Sequence, residues 1–213
     1  MISPGATQDA LAMKLYHSPT SPFVRIVLIA AREKGVIDQI EFIPARAPGT
    51  ELDGINPLDK IPTLITDDGE TLIESRLIAL YIDGLGTRRL YPTNPAEWRR
   101  VLQQEAIVLG VMDAVVLRRQ ETRREDSEQS AWWIGRQMSK IERGLDKIEN
   151  EIDSFTGNDT IVPIELCCAL EFMDRLQGTI PELGWRPQYP KIAAWHAAYR
   201  ETVSVVASRP TAD

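Results

Sequence analysis

The residues best placed for chemistry cluster in Tyr16 to Arg25, YHSPTSPFVR, where Tyr16, Ser18, Thr20 and Ser21 offer four hydroxyls within six positions. Ser21-Pro22 marks a helix start. Serine is a preferred N-cap because its oxygen accepts an orphan backbone N–H. Proline suits the first helical position. The local sequence leaves Ser21 either a plain cap or a reactive hydroxyl. Other nucleophiles are few. Cys167 and Cys168 are adjacent in an apolar helical run, LCCAL, so buried reduced thiols are expected. Without a C-x-x-C pair, thioredoxin-type dithiol exchange is not expected. His17 and His196 are the two histidines and no cysteine–histidine cluster stands in the chain, so no metal site is expected.

Periodicity supplies the elements that must position these residues. Lys14 to His17 reads as a strand ahead of the SPTSP turn. Phe23, Val24, Val27, Leu28 and Ala31 then recur at helical steps, and Lys34-Gly35 ends the run with a basic last turn and a glycine stop. Ile40 to Ile43 is a second strand. Thr63 to Thr66 and Thr71 to Ile73 flank Asp67-Asp68-Gly69 as a hairpin. Glu74 to Ile82 is helical again. The order β-α-β, loop, β-β-α predicts a thioredoxin-like mixed sheet covered by helices.

GLGTRRLYPTNP, residues 84 to 95, is rich in glycine and proline and reads as a boundary. Beyond it Glu97 to Arg119, Ala131 to Ile152, Ile164 to Leu176 and Ile192 to Val203 are helical by spacing. Ile134, Met138, Ile141, Leu145, Ile148 and Ile152 form one apolar stripe. The predicted class is α/β followed by all-α. Residues 1–12 form an extension, 13–84 a thioredoxin-like domain, 85–94 a linker and 95–213 a helical bundle.

Composition narrows the partners. The chain has 213 residues and a net charge of −7, which argues against nucleic acid as a partner. Arg118 to Glu128, RRQETRREDSE, mixes both signs and reads as a solvated helix face or loop. No apolar run approaches a membrane span, and MISPGATQDALA lacks the pattern of a signal peptide. A cytoplasmic location is expected.

Two further segments make a resemblance specific. Asn56 to Leu64, NPLDKIPTL, is similar to the cis-proline segment of the glutathione transferase superfamily. Glu74-Ser75, ahead of an apolar run and a tyrosine, resembles that family's γ-glutamyl-binding motif. S-P-F-V-R, fourteen residues ahead of the glycine in E-K-G, resembles its catalytic turn. The three come in the family's order and spacing, and the helical second half continues the likeness to bacterial serine- or cysteine-type members.

The resemblance implies roles. Glutathione would be the co-substrate. Pro62 would be cis, so that the backbone of Ile61 pairs with the cysteinyl unit like an added strand. Glu74 would hold the ligand's α-amino group, Ser75 the γ-glutamyl carboxylate at a helix start, and Lys60 the glycyl carboxylate. Ser21 would donate a hydrogen bond to the glutathione sulfur and favour its thiolate. A depression of about two pKa units is roughly 2.7 kcal/mol. A helix terminus supplies up to about 2 kcal/mol and a bond to a charged acceptor about 1.5–3 kcal/mol. Ser18, Thr20 and Tyr16 are rivals for the same role. The second substrate would be a small hydrophobic electrophile held between the domains by Tyr16, His17, Leu109, Met112, Asp113 and Val116. Trp132 and Trp133 are expected to pack.

The absence of a cysteine at the catalytic turn favours conjugation over deglutathionylation. A non-enzymatic glutathione-binding or regulatory module, and a glutathione-dependent isomerase or peroxidase on the same site, are the alternatives. A two-fold homodimer is implied. One departure concerns the interior helix, where Val162-Pro163-Ile164-Glu165 replaces the family's usual S/T-x-x-D capping box. Pro163 and Glu165 are expected to substitute for it in part.

Overall fold

The computed structural model describes residues 13–86 and 88–210, so the expected N-terminal extension, residues 1–12, lies outside them. The chain opens on β1 (Met13–His17), α1 (Pro22–Glu33), β2 (Ile40–Pro44), β3 (Thr63–Ile65), β4 (Thr71–Ile73) and α2 (Ser75–Leu85). The strands form one sheet in the order β2-β1-β3-β4. β1 runs parallel to β2 and antiparallel to β3, and β3 pairs antiparallel with β4. Parallel neighbours need a crossover connection, and α1 lies in the one that joins β1 to β2. Leu15 and Leu64 on the sheet and Ile26, Val27, Ile78 and Ile82 on the two helices are fully buried between the layers.

The remainder is helical: α3 (Pro95–Glu121), α4 (Ala131–Asn150), α5 (Ile152–Thr156), α6 (Ile161–Leu176), α7 (Pro190–Tyr199) and α8 (Val203–Val206). The architecture is the expected thioredoxin-like α/β half followed by a helical half. Asn94 caps α3 by accepting from Ala96 N at 2.9 Å and Glu97 N at 3.2 Å. In α4, Ile141, Leu145 and Ile148 of the apolar stripe are buried. Trp132 is not a packing group, being 70% exposed beside the Arg136 guanidinium. The predicted helix over 192–203 is shorter, because the chain turns after Tyr199 before the brief α8. Among the described residues no helix is long and apolar enough to cross a membrane.

Helix α6 runs through the middle and packs on both α3 and α1. It starts at Ile161, three residues before the spacing predicted, and Thr160 makes no side-chain cap bond. Ile161 N donates instead to Leu90 O of the connecting segment, at 3.1 Å. Arg25 of α1 ties the halves together. It pairs with Glu171 on α6 and donates to Ser208 Oγ at 3.1 Å and to Val205 O at 3.3 Å.

Glu165 does not cap the helix as expected. It is fully buried against the Glu105 carboxyl, and among the described residues no N–H or hydroxyl donates to its oxygens. Burial, with Glu105 and Glu74 as like-charged neighbours, pushes its carboxyl well above the usual carboxylate range, against the pull of Arg76. An acid raised in the fold stabilises it fully below its unfolded pKa, and that stability is lost as pH rises through the folded pKa. The resistance of the wild type to urea is therefore expected to fall as pH rises above the ordinary carboxylate range. Glu165→Gln should flatten this dependence and be the more stable of the two at alkaline pH. Parallel profiles for the two proteins would remove Glu165 from this role.

Candidate functional site

The turn after β1 delivers its hydroxyls to the start of α1. Ser21 is the N-cap residue with extended backbone, and its Oγ accepts from Val24 N at 3.3 Å. Ser21 N donates to Ser18 O at 3.2 Å, and the Ser18 and Thr20 hydroxyls lie 3.4 Å apart. A serine hydroxyl has one O–H and two lone pairs. Capping uses one lone pair and leaves the O–H free to donate, so the cap and the reactive hydroxyl are compatible.

A second wall comes from the loop before β3. The Ile61–Pro62 peptide is cis. Asn56 is buried in this loop and braces it. Its Nδ2 donates to Lys60 O and to Thr63 Oγ1, both at 2.9 Å, while its Oδ1 accepts from Leu58 N at 3.0 Å. Thr63 Oγ1 donates to the same Lys60 carbonyl at 2.8 Å. The motif contained Asn56, but its bracing role depends on a fold-back that no periodicity marks.

The third wall is the start of α2. Glu74 has φ +79° and ψ 133°, a region that non-glycine residues rarely adopt and that collects at ligand sites. Its side chain is exposed, whereas Ser75 beside it is buried. Ser75 Oγ donates to Glu74 Oε1 at 3.3 Å.

These walls enclose two adjoining cavities. One, of about 280 Å³, is lined by Lys60, Ile61, Pro62, Glu74 and Ser75 with Phe23, Asn56, Leu109 and Asp113 among others. The other, of about 920 Å³, is lined by Ser18, Thr20 and Ser21 and by Asp113, Val116, Arg119, Lys140 and Phe172 from the helical half. Phe23, Lys60, Ile61 and Asp113 border both. Crowding by the cavity walls pushes the Asp113 carboxyl up, while Lys60 draws it down.

Three expected pocket residues stand elsewhere. Tyr16 is 8% exposed and packs with Ala45 and Leu52 beneath the loop after β2. It does not line the cavity that Ser21 borders. It borders a separate cavity of about 460 Å³ with Thr50 and Glu51. His17 packs edge-on against Phe42, ring centroids 5.6 Å apart, and burial lowers its pKa. Met112 is fully buried, sharing the inner stripe of α3 with Val108 and Val115. Leu109, Asp113 and Val116 lie on the stripe that borders the cavities.

The arginines of RRQETRREDSE are also not all solvated. Arg118 is 7% exposed, and it donates to Thr122 Oγ1 at 2.6 Å. Arg119 faces the larger cavity. Lys140, Phe172 and Arg119 were missed as site residues because three separate helices bring them together.

Cys167 and Cys168 are free and buried, and burial pushes the Cys168 thiol up to about 12. Contrary to the sequence expectation, Cys167, Glu171 and His196 do cluster, with candidate ligand atoms within 4.8 Å of one another. Arg25 already pairs with Glu171, and Arg200 Nε lies 3.4 Å from it. Burial lowers the His196 pKa to about 4.

A family model described as glutathione S-transferase, N-terminal domain, matches residues 20–85. The chain is 37% identical over 169 residues to the uncharacterized GST-like protein YibF of Escherichia coli, covering 76% of this chain and 82% of that protein. A glutathione transferase family member from Pseudomonas fluorescens Pf-5, solved with bound glutathione, is 33% identical and superposes at a TM-score of 0.86 over 94% of this chain and all of that one (100%). The same protein with bound S-(propanoic acid)-glutathione gives a TM-score of 0.83 at 33% identity, over 93% of this chain and 100% of that one. A glutathione S-transferase from Methylobacillus flagellatus KT with glutathione bound is 32% identical, with a TM-score of 0.85 over 93% of this chain and 100% of that one. The SPFVR turn, the cis Ile61–Pro62 peptide, the Glu74-Ser75 corner and the likeness over most of the chain agree, and the chain belongs to the glutathione S-transferase superfamily.

Proposed function

We propose that this chain is a glutathione transferase, which holds glutathione as its thiolate and adds it to small, largely apolar electrophiles. The observation that carries this reading is the junction of the two cavities. The smaller gathers Lys60, Ile61, Glu74 and Ser75, and the larger opens from the same edge onto Ser21 at the start of α1. Glutathione lies along the first, with its γ-glutamyl end at Glu74 and Ser75 and its cysteinyl backbone against Ile61. Lys60 meets the glycyl carboxylate. The sulfur then reaches Ser21 and the electrophile occupies the larger space. The bound tripeptide in the Pseudomonas and Methylobacillus relatives supports this reading.

No general base is required. The α1 N-terminus and the Ser21 O–H both favour the anionic sulfur, so the thiol proton leaves to solvent on binding. The thiolate's electron pair then forms the bond to carbon. The same reading makes the protein a two-fold dimer, in which exposed apolar side chains such as Leu77 and Trp98 would find cover. Sedimentation at micromolar concentration should show twice the chain mass, and a 23.9 kDa species alone would contradict it.

Calorimetric titration with glutathione tests the binding half of the proposal. Ser75→Ala removes a hydroxyl from a bond to a charged group and should weaken Kd by about 10- to 100-fold. Unchanged affinity would place the γ-glutamyl carboxylate elsewhere.

A further inference from the structure

The larger cavity is basic in an acidic chain. The chain carries a net charge of −7, yet Lys60, Arg119 and Lys140 all border this space. Of its two acidic residues, Asp59 is already held in a two-bonded pair by Arg46, at 3.1 Å for each bond. Asp113 remains, near Lys60 and Lys140.

Arg119 is the informative group. Among the described residues it has no hydrogen bond and no ion pair. Its guanidinium carbon lies 6.0 Å from the centroid of the Phe172 ring. The charges it feels are those of Arg123 and Arg175, both of its own sign. The Arg175 guanidinium carbon lies 5.7 Å from the same ring centroid, and its Nη2 donates to Thr20 O at 3.0 Å. Phe172 thus links Arg119 to the turn that carries Ser21. Lys140 donates to Gln137 Oε1 at 3.2 Å and, among the described residues, has no carboxylate partner within ion-pair distance. A partly buried guanidinium crowded by like charge gains most from an anion, and its fork matches a carboxylate in two bonds. Around it Phe23, Ala114, Val116, Leu117 and Phe172 offer apolar surface.

Building on the transferase reading, we infer that the electrophile accepted here is an apolar molecule bearing a carboxylate, with Arg119 as the residue that selects it. The carboxylate sits on Arg119 and the apolar body lies along Phe172 and Val116. The reacting carbon then faces the sulfur at Ser21.

A matched pair of aryl chlorides tests this, 4-chloro-3-nitrobenzoate and its methyl ester. In each, the thiolate's pair forms the C–S bond, the C–Cl bond breaks and chloride leaves with its pair. The ratio of kcat/KM for the acid to that for the ester should fall about 10- to 100-fold in Arg119→Ala, the size of a lost bond to a charged partner. A ratio within twofold of the wild type overturns the inference. Calorimetry with the two products, S-(4-carboxy-2-nitrophenyl)glutathione and its methyl ester, separates the inference from the reading beneath it. Wild-type protein should bind the acid product at least about tenfold tighter than the ester. Equal affinity for the two overturns the inference alone. A preference for the acid product that Arg119→Ala abolishes, with no turnover of any electrophile, upholds Arg119 as the carboxylate site and overturns the transferase reading. Lack of affinity for glutathione and both products overturns both.

Discussion

Ser21→Ala should lower kcat/KM for conjugation by about 10- to 100-fold at neutral pH, the effect of losing a hydrogen bond to a charged sulfur. The bound thiol's pKa should rise by about one to two units, since each unit is worth 1.36 kcal/mol. The deficit should shrink as pH rises past the new pKa, because solvent then removes the proton unaided. Ser21 also caps α1, so the alanine variant loses stability too, by about 0.5–2 kcal/mol. Glycine separates the two roles. It is nearly as good a cap as serine, costing a few tenths of a kcal/mol, but has no hydroxyl. Ser21→Gly should therefore lose rate as alanine does while keeping most of the stability. Ser21→Thr, which restores a hydroxyl, should recover rate. Unchanged turnover in both the alanine and glycine variants would remove Ser21 from the chemistry and favour Ser18 or Thr20, its neighbours in the cavity.

Lys34→Met should cost about 3–5 kcal/mol of folding stability, the range for breaking a buried ion pair from one side. The Lys34 ammonium and the Asp83 carboxylate are both buried and 3.0 Å apart. Lys34 also donates to Asp83 O at 2.7 Å, to Gly86 O at 3.3 Å and to the Arg88 carbonyl. Asp83 in turn accepts from Leu90 N at 2.6 Å. One ammonium thus gathers the end of α1, the end of α2 and the segment leading to α3. Methionine fills the stem's volume but leaves the buried carboxylate facing only Leu90 N and the exposed Arg89 guanidinium, 4.0 Å away. A native domain is stable by only about 5–15 kcal/mol, so the variant should unfold at much lower urea. Adding Asp83→Asn removes the stranded charge and keeps an acceptor for Leu90 N–H. The double variant should recover more than half of the loss. No recovery would mean that the carbonyl bonds, not the ion pair, carry the cost.

Lys34 marks where the sequence stopped being legible. In the sequence it is a basic residue in a last helical turn beside a glycine stop, and both features are real. Gly35 has φ +68°, the left-handed conformation that ends helices. The four acceptors around its ammonium lie 49 to 54 residues away, where no local pattern points to them. The opposite holds for Ser21-Pro22, Ile61-Pro62 and Glu74-Ser75. Each is a strand-to-helix step or a turn whose geometry its own residues dictate, and each stands where its motif placed it. The strands were legible for the same reason, as short β-rich runs bounded by turns.

The pocket residues fared less well. Helical spacing puts Leu109, Met112, Asp113 and Val116 near one face of α3, but it does not say where the core stripe ends. Packing against α6 and α4 takes Met112 into the core with Val108 and Val115. Tyr16 and His17 belong to a strand whose side chains alternate, and neither reaches the larger cavity. Glu165 looked like a helix-start acid, yet tertiary packing set it against Glu105. Arg119 looked like one charge in a solvated run, and the cavity beside it exists only once α3, α4 and α6 are assembled.

The most direct test of glutathione held with its sulfur at Ser21 is a crystal structure of the protein with glutathione bound. The sulfur should lie within hydrogen-bond reach of Ser21 Oγ, with the γ-glutamyl carboxylate on Ser75 and the cysteinyl backbone paired with Ile61. A sulfur turned away from Ser21, or a tripeptide seated in the neighbouring 330 Å³ cavity beside Arg25 and Arg200 with its γ-glutamyl end away from Glu74 and Ser75, would contradict it.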